Sequence, residues 1–110
     1  MTDNKVQKID VQELKRLMDQ NPNLLLIDVR EQNEWDSMHI PNAVLIPKES
    51  IADKISEVCD NKSQAIYLHC RSGVRSLHAA ESLLALGYHE VYSVDGGIMD
   101  WAMYGYEIVE

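Results

Sequence analysis

Apolar positions along this chain switch between a helical period and short continuous runs. Val11, Leu14, Leu17 and Met18 recur at helical spacing and predict an amphipathic helix. Asp10 before it, with Glu13 three places on, reads as a capping box, and Asn21-Pro22-Asn23 ends the segment. A short first strand is expected over 6–9. Residues 24–27 are all apolar and lead into Asp28-Val29-Arg30; a run of this length bounded by turn signals suits a strand buried on both faces, hence a parallel sheet. Residues 31–38 are polar around Trp35 and predict a short helix or helical loop. His39-Ile40-Pro41-Asn42 is a turn, and 43–46 is a third strand stopped by Pro47. Ile51, Ile55 and Val58 form one helical stripe, broken by Asp60-Asn61-Lys62-Ser63. A fourth strand over 65–69 runs into a loop at 70–75 and a helix at 76–86, with Ala79, Ala80, Leu83 and Leu84 inward and Gly87 at its C′ position. A fifth strand over 91–94, a tight turn at Asp95-Gly96-Gly97 and a last helix over 98–104, closed by Gly105, complete the chain.

Strands alternate with helices throughout. The expected fold is α/β: a central, mostly parallel five-stranded sheet with helices on both faces. At 110 residues the chain is long enough for one domain, placed at 6–110 after a loose polar tail at 1–5. The hydrophobic fraction of 45% is enough to build a core and excludes disorder for the bulk of the chain. Ten Lys and Arg stand against eighteen Asp and Glu, a net charge of −8. That argues against a general nucleic-acid or anionic-membrane binder, both of which need a basic face. The longest apolar runs are four residues, far short of the 20 or so that span a bilayer. The first five residues, Met1-Thr2-Asp3-Asn4-Lys5, show no apolar signal region. Cys59 and Cys70 stand eleven apart with no CxxC pattern, so neither a disulfide framework nor a zinc site is expected. No pair of the four histidines has metal-ligand spacing and no glycine-rich nucleotide motif occurs, so no metal or cofactor is expected. A reducing cytoplasm, where a free thiol persists, is the default compartment.

The chemistry concentrates in Cys70-Arg71-Ser72-Gly73-Val74-Arg75-Ser76, at a strand end, where open α/β sheets bind ligands. A thiolate is the reactive form of cysteine. A helix N-terminus stabilises an anion in front of it, and a loop whose amides turn inward makes an anion nest. Gly73 permits the backbone such a curl needs. Arg71 and Arg75 add two positive charges in an otherwise acidic chain. A buried structural cysteine is the commoner role for a lone Cys, but two arginines and a glycine within five residues do not suit an apolar burial site.

The whole pattern resembles the single-domain rhodaneses, a sulfurtransferase family. The likeness runs from about Ile9 to Ile108. Leu26-Ile27-Asp28-Val29-Arg30 with Glu34-Trp35 resembles the family's Asp-x-Arg strand end and its acidic-aromatic sequel. His39-Ile40-Pro41-Asn42-Ala43 resembles its His-Ile-Pro-Gly-Ala turn, and Cys70 to Ser76 its active-site loop. Gly87-Tyr88, Val91-Tyr92 and Gly96-Gly97 with Trp101 resemble its closing strand and helix. Met38 and Asn42 depart from the family, which commonly has Gly at both places; Asn is the next most tolerant residue of a left-handed turn.

The resemblance implies covalent sulfur transfer. Cys70 would take the outer sulfur of a small donor anion such as thiosulfate as a persulfide, then pass it to cyanide, a thiol or a protein acceptor. The loop amides of Arg71, Ser72, Gly73, Val74, Arg75 and Ser76 would cradle the persulfide, and the two arginines would attract the donor. Asp28 would brace the loop, and Arg30 would pair with Glu34 or line the entrance. Cysteine phosphatases and arsenate reductases place five residues between Cys and Arg, whereas four separate Cys70 from Arg75, so the spacing favours sulfur over phosphate. A non-catalytic anion-binding or dedicated relay module is the competing reading. His39 reads as a turn residue, and strand alternation points His69 away from the sulfur. His78 and His89 read as surface residues, Trp35 and Trp101 as packing, and Cys59 as inert. The acidic exterior suits a thiol-bearing protein partner with a basic face.

Overall fold

A computed structural model describes residues 5–110. Of the tail expected at 1–5, only Lys5 falls among them, and it is exposed. The strands are β1 (Gln7–Ile9), β2 (Leu25–Asp28), β3 (Val44–Leu45), β4 (Ile66–His69) and β5 (Val91–Val94). They form one sheet in the order β1-β5-β4-β2-β3, and every named pairing is parallel. The helices are α1 (Val11–Gln20), α2 (Gln32–Ser37), α3 (Ile51–Val58), α4 (Val74–Ala85) and α5 (Gly97–Met103), with a 3-10 turn at Lys48–Ser50 before α3.

Strand alternation divides the core in two. Ile27, Ile66 and Leu68 pack with Ile51 and Ile55 of α3 and with Ala79, Ala80 and Leu83 of α4. Leu26 and Tyr67 face the other way, onto Val11 and Leu14 of α1 and Ile98 and Trp101 of α5. The sheet is thus covered on both faces, the arrangement that a parallel sheet requires. Ile27, Ile66 and Leu68 are fully buried, each contributing roughly 1.5–3 kcal/mol of hydrophobic stabilisation.

Local sequence accounts for the element ends. Asp10 accepts the amide of Glu13 at 2.8 Å and so caps α1. The expected return bond from Glu13 gives way to a pair with Arg16 at 2.6 Å, since the cation offers a stronger, charge-assisted partner. At α2 the return bond exists: Glu34 Oε1 accepts the amide of Glu31 at 2.9 Å, which fixes the Glu34 side chain. Asn42 sits at φ 69°, the left-handed turn that the sequence allows there. The sequence reading differs most at α4, which starts at Val74 rather than at 76 because Gly73, at φ 126°, turns the chain one step earlier.

Candidate active site

Register places the site. Asp28 at the end of β2 lies opposite His69 at the end of β4, and the next residue is Cys70. Alternation then separates the neighbours: Cys70 joins Leu68 in the core cluster beneath α3 and α4, while His69 falls on the opposite side of the sheet with Tyr67. Cys70 is 1% exposed. The amide of Gly73 donates to its Sγ at 3.1 Å. The thiol lies 3.7 Å from Ser76 Oγ. That hydroxyl also bonds Gly73 O at 3.1 Å and Ser93 Oγ, on β5, at 2.8 Å.

The loop carbonyls are tied outward by the turn after β5 and the first turn of α5. Ile98 N donates to Cys70 O at 2.9 Å, Met99 N to Arg71 O at 3.2 Å, and Gly96 N to Ser72 O at 3.1 Å. Three successive carbonyls held this way turn loop amides toward the sulfur, the arrangement of an anion nest. The seat works only with glycine at position 97. A Cβ there would stand 2.3 Å from Cys70 O and 2.6 Å from Arg71 O, and the residue sits at φ 51°.

Burial pushes the Cys70 thiol up, as desolvation always does for a group that ionises to an anion. The amide and hydroxyl of Ser76 and the amides of Gly73 and Ser72 outweigh it, so the thiol ionises more readily than an ordinary cysteine. Those three amides come from the loop the sequence singled out. Val74 is 63% exposed at the first turn of α4.

The charged residues are placed differently from expectation. Arg75 does not stand free beside the sulfur: its guanidinium donates twice to Glu34, at 2.7 and 3.0 Å. This cation holds the Glu34 carboxyl down at about 2. Arg30 therefore does not pair with Glu34. It is buried and donates to Asp28 (2.8 Å) and to Met38 O (2.8 Å). Nor does the Asp28 side chain hydrogen-bond to the cysteine loop: it accepts from the Arg30 guanidinium and from the Arg30 amide. The pair instead fixes the exit from β2, since a buried carboxylate must be matched where it is buried. Arg71 is exposed. His69 Nδ1 lies 3.3 Å from Cys70 O, and its Nε2, 3.6 Å from Asp28 Oδ2, has no hydrogen-bond partner. Burial lowers the affinity of His69 for a proton.

A cavity of ≈ 360 Å³ opens beside Arg71 of the loop; Arg30, Glu34, Ser37 and Arg71 give it polar lining, and Met38, Ile98, Met99 and Ala102 apolar lining. Cys59 caps α3, with its thiol directed at Asn61 O. Trp101 is buried, and Trp35 stacks on His39 at 3.7 Å, so both tryptophans pack. His78 and His89 are exposed. Among the described residues no group of three His, Cys, Asp or Glu is arranged to hold a metal ion, and no helix is long and apolar enough to cross a membrane.

The sequence pattern of the rhodanese-like domain matches residues 10–104. The chain belongs to the rhodanese-like domain family. A curated relative described as a sulfurtransferase, from Allochromatium vinosum, is 36% identical over 104 residues, covering 94% of this chain and 95% of its own. The tRNA uridine(34) hydroxylase of Photorhabdus laumondii is 30% identical over 98 residues. This chain spans 28% of the length of that enzyme. Among solved structures, a rhodanese-like domain protein from Staphylococcus aureus superposes with a TM-score of 0.82 at 34% identity, covering 96% of this chain and all of its own.

Two parts of this rhodanese-like site were not read from the sequence. Ser93 is a lone hydroxyl in the otherwise apolar Val91-Tyr92-Ser93-Val94; that polarity was the available signal. The sequence marks Gly97 as part of a tight turn, and only the fold shows what its missing Cβ makes room for.

Proposed function

We propose that this protein is a sulfurtransferase that carries sulfur as a persulfide on Cys70. The observation that carries the reading is the sulfur's setting: an amide donor at 3.1 Å, inside a loop whose carbonyls are tied away from it. Such a nest stabilises a negative charge at one point, and a persulfide's outer sulfur is a compact anion of that kind.

In the first half-reaction the Cys70 thiolate attacks the outer sulfur of a sulfane donor. With thiosulfate, a new S–S bond forms to Cys70, the donor S–S bond breaks, and its electron pair leaves on sulfite. Charge is conserved and Cys70–S–S⁻ remains. In the second half-reaction cyanide or an acceptor thiolate attacks that outer sulfur, and the pair of the broken bond returns to Cys70. No external oxidant or reductant takes part. Splitting the transfer this way predicts ping-pong kinetics. The amides of Ser72, Gly73 and Ser76 hold the charge in both states. A thiol that ionises more readily than usual raises the thiolate fraction while giving up some nucleophilicity. A compartment that keeps Cys70 reduced suits this chemistry, as does a small donor followed by a thiol or protein acceptor.

Phosphoryl transfer is the less favoured reading, because the arginine that would clamp a phosphate is occupied by Glu34 at 2.7 Å. A side-by-side assay of thiosulfate:cyanide transfer, p-nitrophenyl phosphate hydrolysis and arsenate reduction separates the readings. Sulfur transfer with ping-pong kinetics, abolished in Cys70→Ser, is expected. Cys70-dependent phosphatase turnover without sulfur transfer would overturn the reading.

A further inference from the structure

We propose that Glu34 and the apolar cleft beside it make this site select an organic persulfide over inorganic thiosulfate. The inference rests on the sulfur-transfer reading above and adds the class of donor.

The charge arrangement comes first. Of the two loop arginines, Arg75 is matched by Glu34 in a two-pronged pair at 2.7 and 3.0 Å. Arg30, the other cation on the cleft wall, is matched by buried Asp28. Arg71 is left as the exposed cation of the cleft. Against the Cys70 thiolate its single charge gives a site close to neutral, in a protein of net charge −8. A dianionic donor meets no surplus of positive charge there. An organic persulfide carries at most one charge on its sulfur and meets less opposition.

The shape of the cleft supplies the second, independent observation. Met38, Ile98, Met99 and Ala102 make up the apolar lining of the ≈ 360 Å³ space, alongside Arg30, Glu34, Ser37 and Arg71. Thiosulfate has no apolar part to place there. A carbon chain does, and each methylene it buries strengthens binding by roughly threefold to fourfold. Met38 and Met99 suit chains of varied shape, because methionine is flexible and polarizable.

The step balances. The Cys70 thiolate attacks the outer sulfur of R–S–SH, the S–S bond breaks, and its electron pair leaves on R–S⁻. That thiolate takes up the proton released from the transferred sulfur. The products are Cys70–S–S⁻ and R–SH, with no net oxidation or reduction.

Electrostatics gives a test that does not depend on the donors' inherent reactivity. Changing the site by one unit charge acts twice as strongly on a dianion as on a monoanion, so the rate factor for thiosulfate is the square of that for a persulfide. For a unit charge at a separation of roughly 7 Å in a water-like dielectric the factors are about threefold and about sevenfold.

The experiment follows the gain of one sulfur on the intact protein against time, with sodium thiosulfate and with butyl persulfide as donors. Wild type, Glu34→Gln, Arg75→Gln and Met99→Ser are compared, each first shown to be folded by its urea midpoint. Wild type is expected to react faster with butyl persulfide. Glu34→Gln is expected to speed thiosulfate about sevenfold and butyl persulfide no more than about threefold, and Arg75→Gln to shift the ratio the opposite way. Both shifts should shrink in high salt. Met99→Ser should slow butyl persulfide by roughly threefold or more. If both charge variants change the two donors by equal factors, or if wild type prefers thiosulfate, the selectivity is overturned while sulfur transfer stands. If neither donor adds sulfur to Cys70 in wild type, both readings fall.

Discussion

Replacing Gly97 by alanine tests how the cysteine loop is held. The added Cβ would lie 2.3 Å from Cys70 O and 2.6 Å from Arg71 O, both backbone atoms that cannot swing aside. The β5–α5 turn must back away, and three hydrogen bonds, from Ile98, Met99 and Gly96 to the loop carbonyls, go with it. At roughly 1 kcal/mol each these contribute about 3 kcal/mol. Holding a non-glycine residue at φ 51° adds roughly 1–2 kcal/mol. The expected loss is therefore about 4 kcal/mol, a large part of the roughly 5–15 kcal/mol that stabilises a domain. In urea the midpoint should fall by roughly 2 M. Gly105→Ala is the control: its φ is 77°, but nothing lies within 4 Å of the new Cβ, so only the backbone cost of roughly 1–2 kcal/mol applies. Gly97→Ala should also shift thiolate formation at Cys70 to higher pH, because the amides lose their aim. A Gly97→Ala protein no less stable than Gly105→Ala, with an unchanged thiol titration, would refute the account of the seat.

Three other outcomes follow from the same geometry. Ser76→Ala removes a hydroxyl that favours the thiolate, so absorbance against pH should show Cys70 ionising at higher pH than in wild type; an unchanged curve would remove the Ser76 hydroxyl from the nest. Glu34 is held at about 2 by Arg75, below its ordinary 4.5, so the pair contributes stability above pH 4.5 that is lost as pH falls toward 2. The pair is 26–32% exposed, so about 1 kcal/mol is expected; wild type should lose roughly half of that more than Glu34→Gln between pH 7 and pH 3 in urea titrations, and parallel losses would contradict it. Asp28→Asn leaves the buried Arg30 guanidinium without its anion, a change expected to cost roughly 3–5 kcal/mol; a thermal melt within 2 °C of wild type would show that the pair adds nothing.

Much of the architecture was legible because it is written in local pattern. The continuous apolar run at 24–27 marks a buried parallel strand, and Cys70, one residue past β4, marks the candidate site. The alternation that sends His69 away from the sulfur is likewise local. Asn42 and Gly73 were read correctly as left-handed or glycine-only positions. What escaped depends on contacts between distant residues. Arg75 and Glu34 stand 41 apart in sequence, and Arg30 lay much nearer to Glu34 along the chain. The fold alone brings the first pair within hydrogen-bond reach, while burial at the end of β2 commits Arg30 to Asp28. Ser93 reaches Ser76 from the neighbouring strand, and the strand order that brings it there carries no mark in the sequence.

The central claim is that Cys70 carries sulfur, and intact mass tests it most directly. Wild-type protein and Cys70→Ser would be incubated with thiosulfate and with butyl persulfide, then weighed before and after treatment with cyanide. The account predicts a gain of about 32 Da on wild type, one sulfur atom held covalently, removed by cyanide and absent from Cys70→Ser. An unchanged mass with both donors, or the same gain in Cys70→Ser, would contradict it.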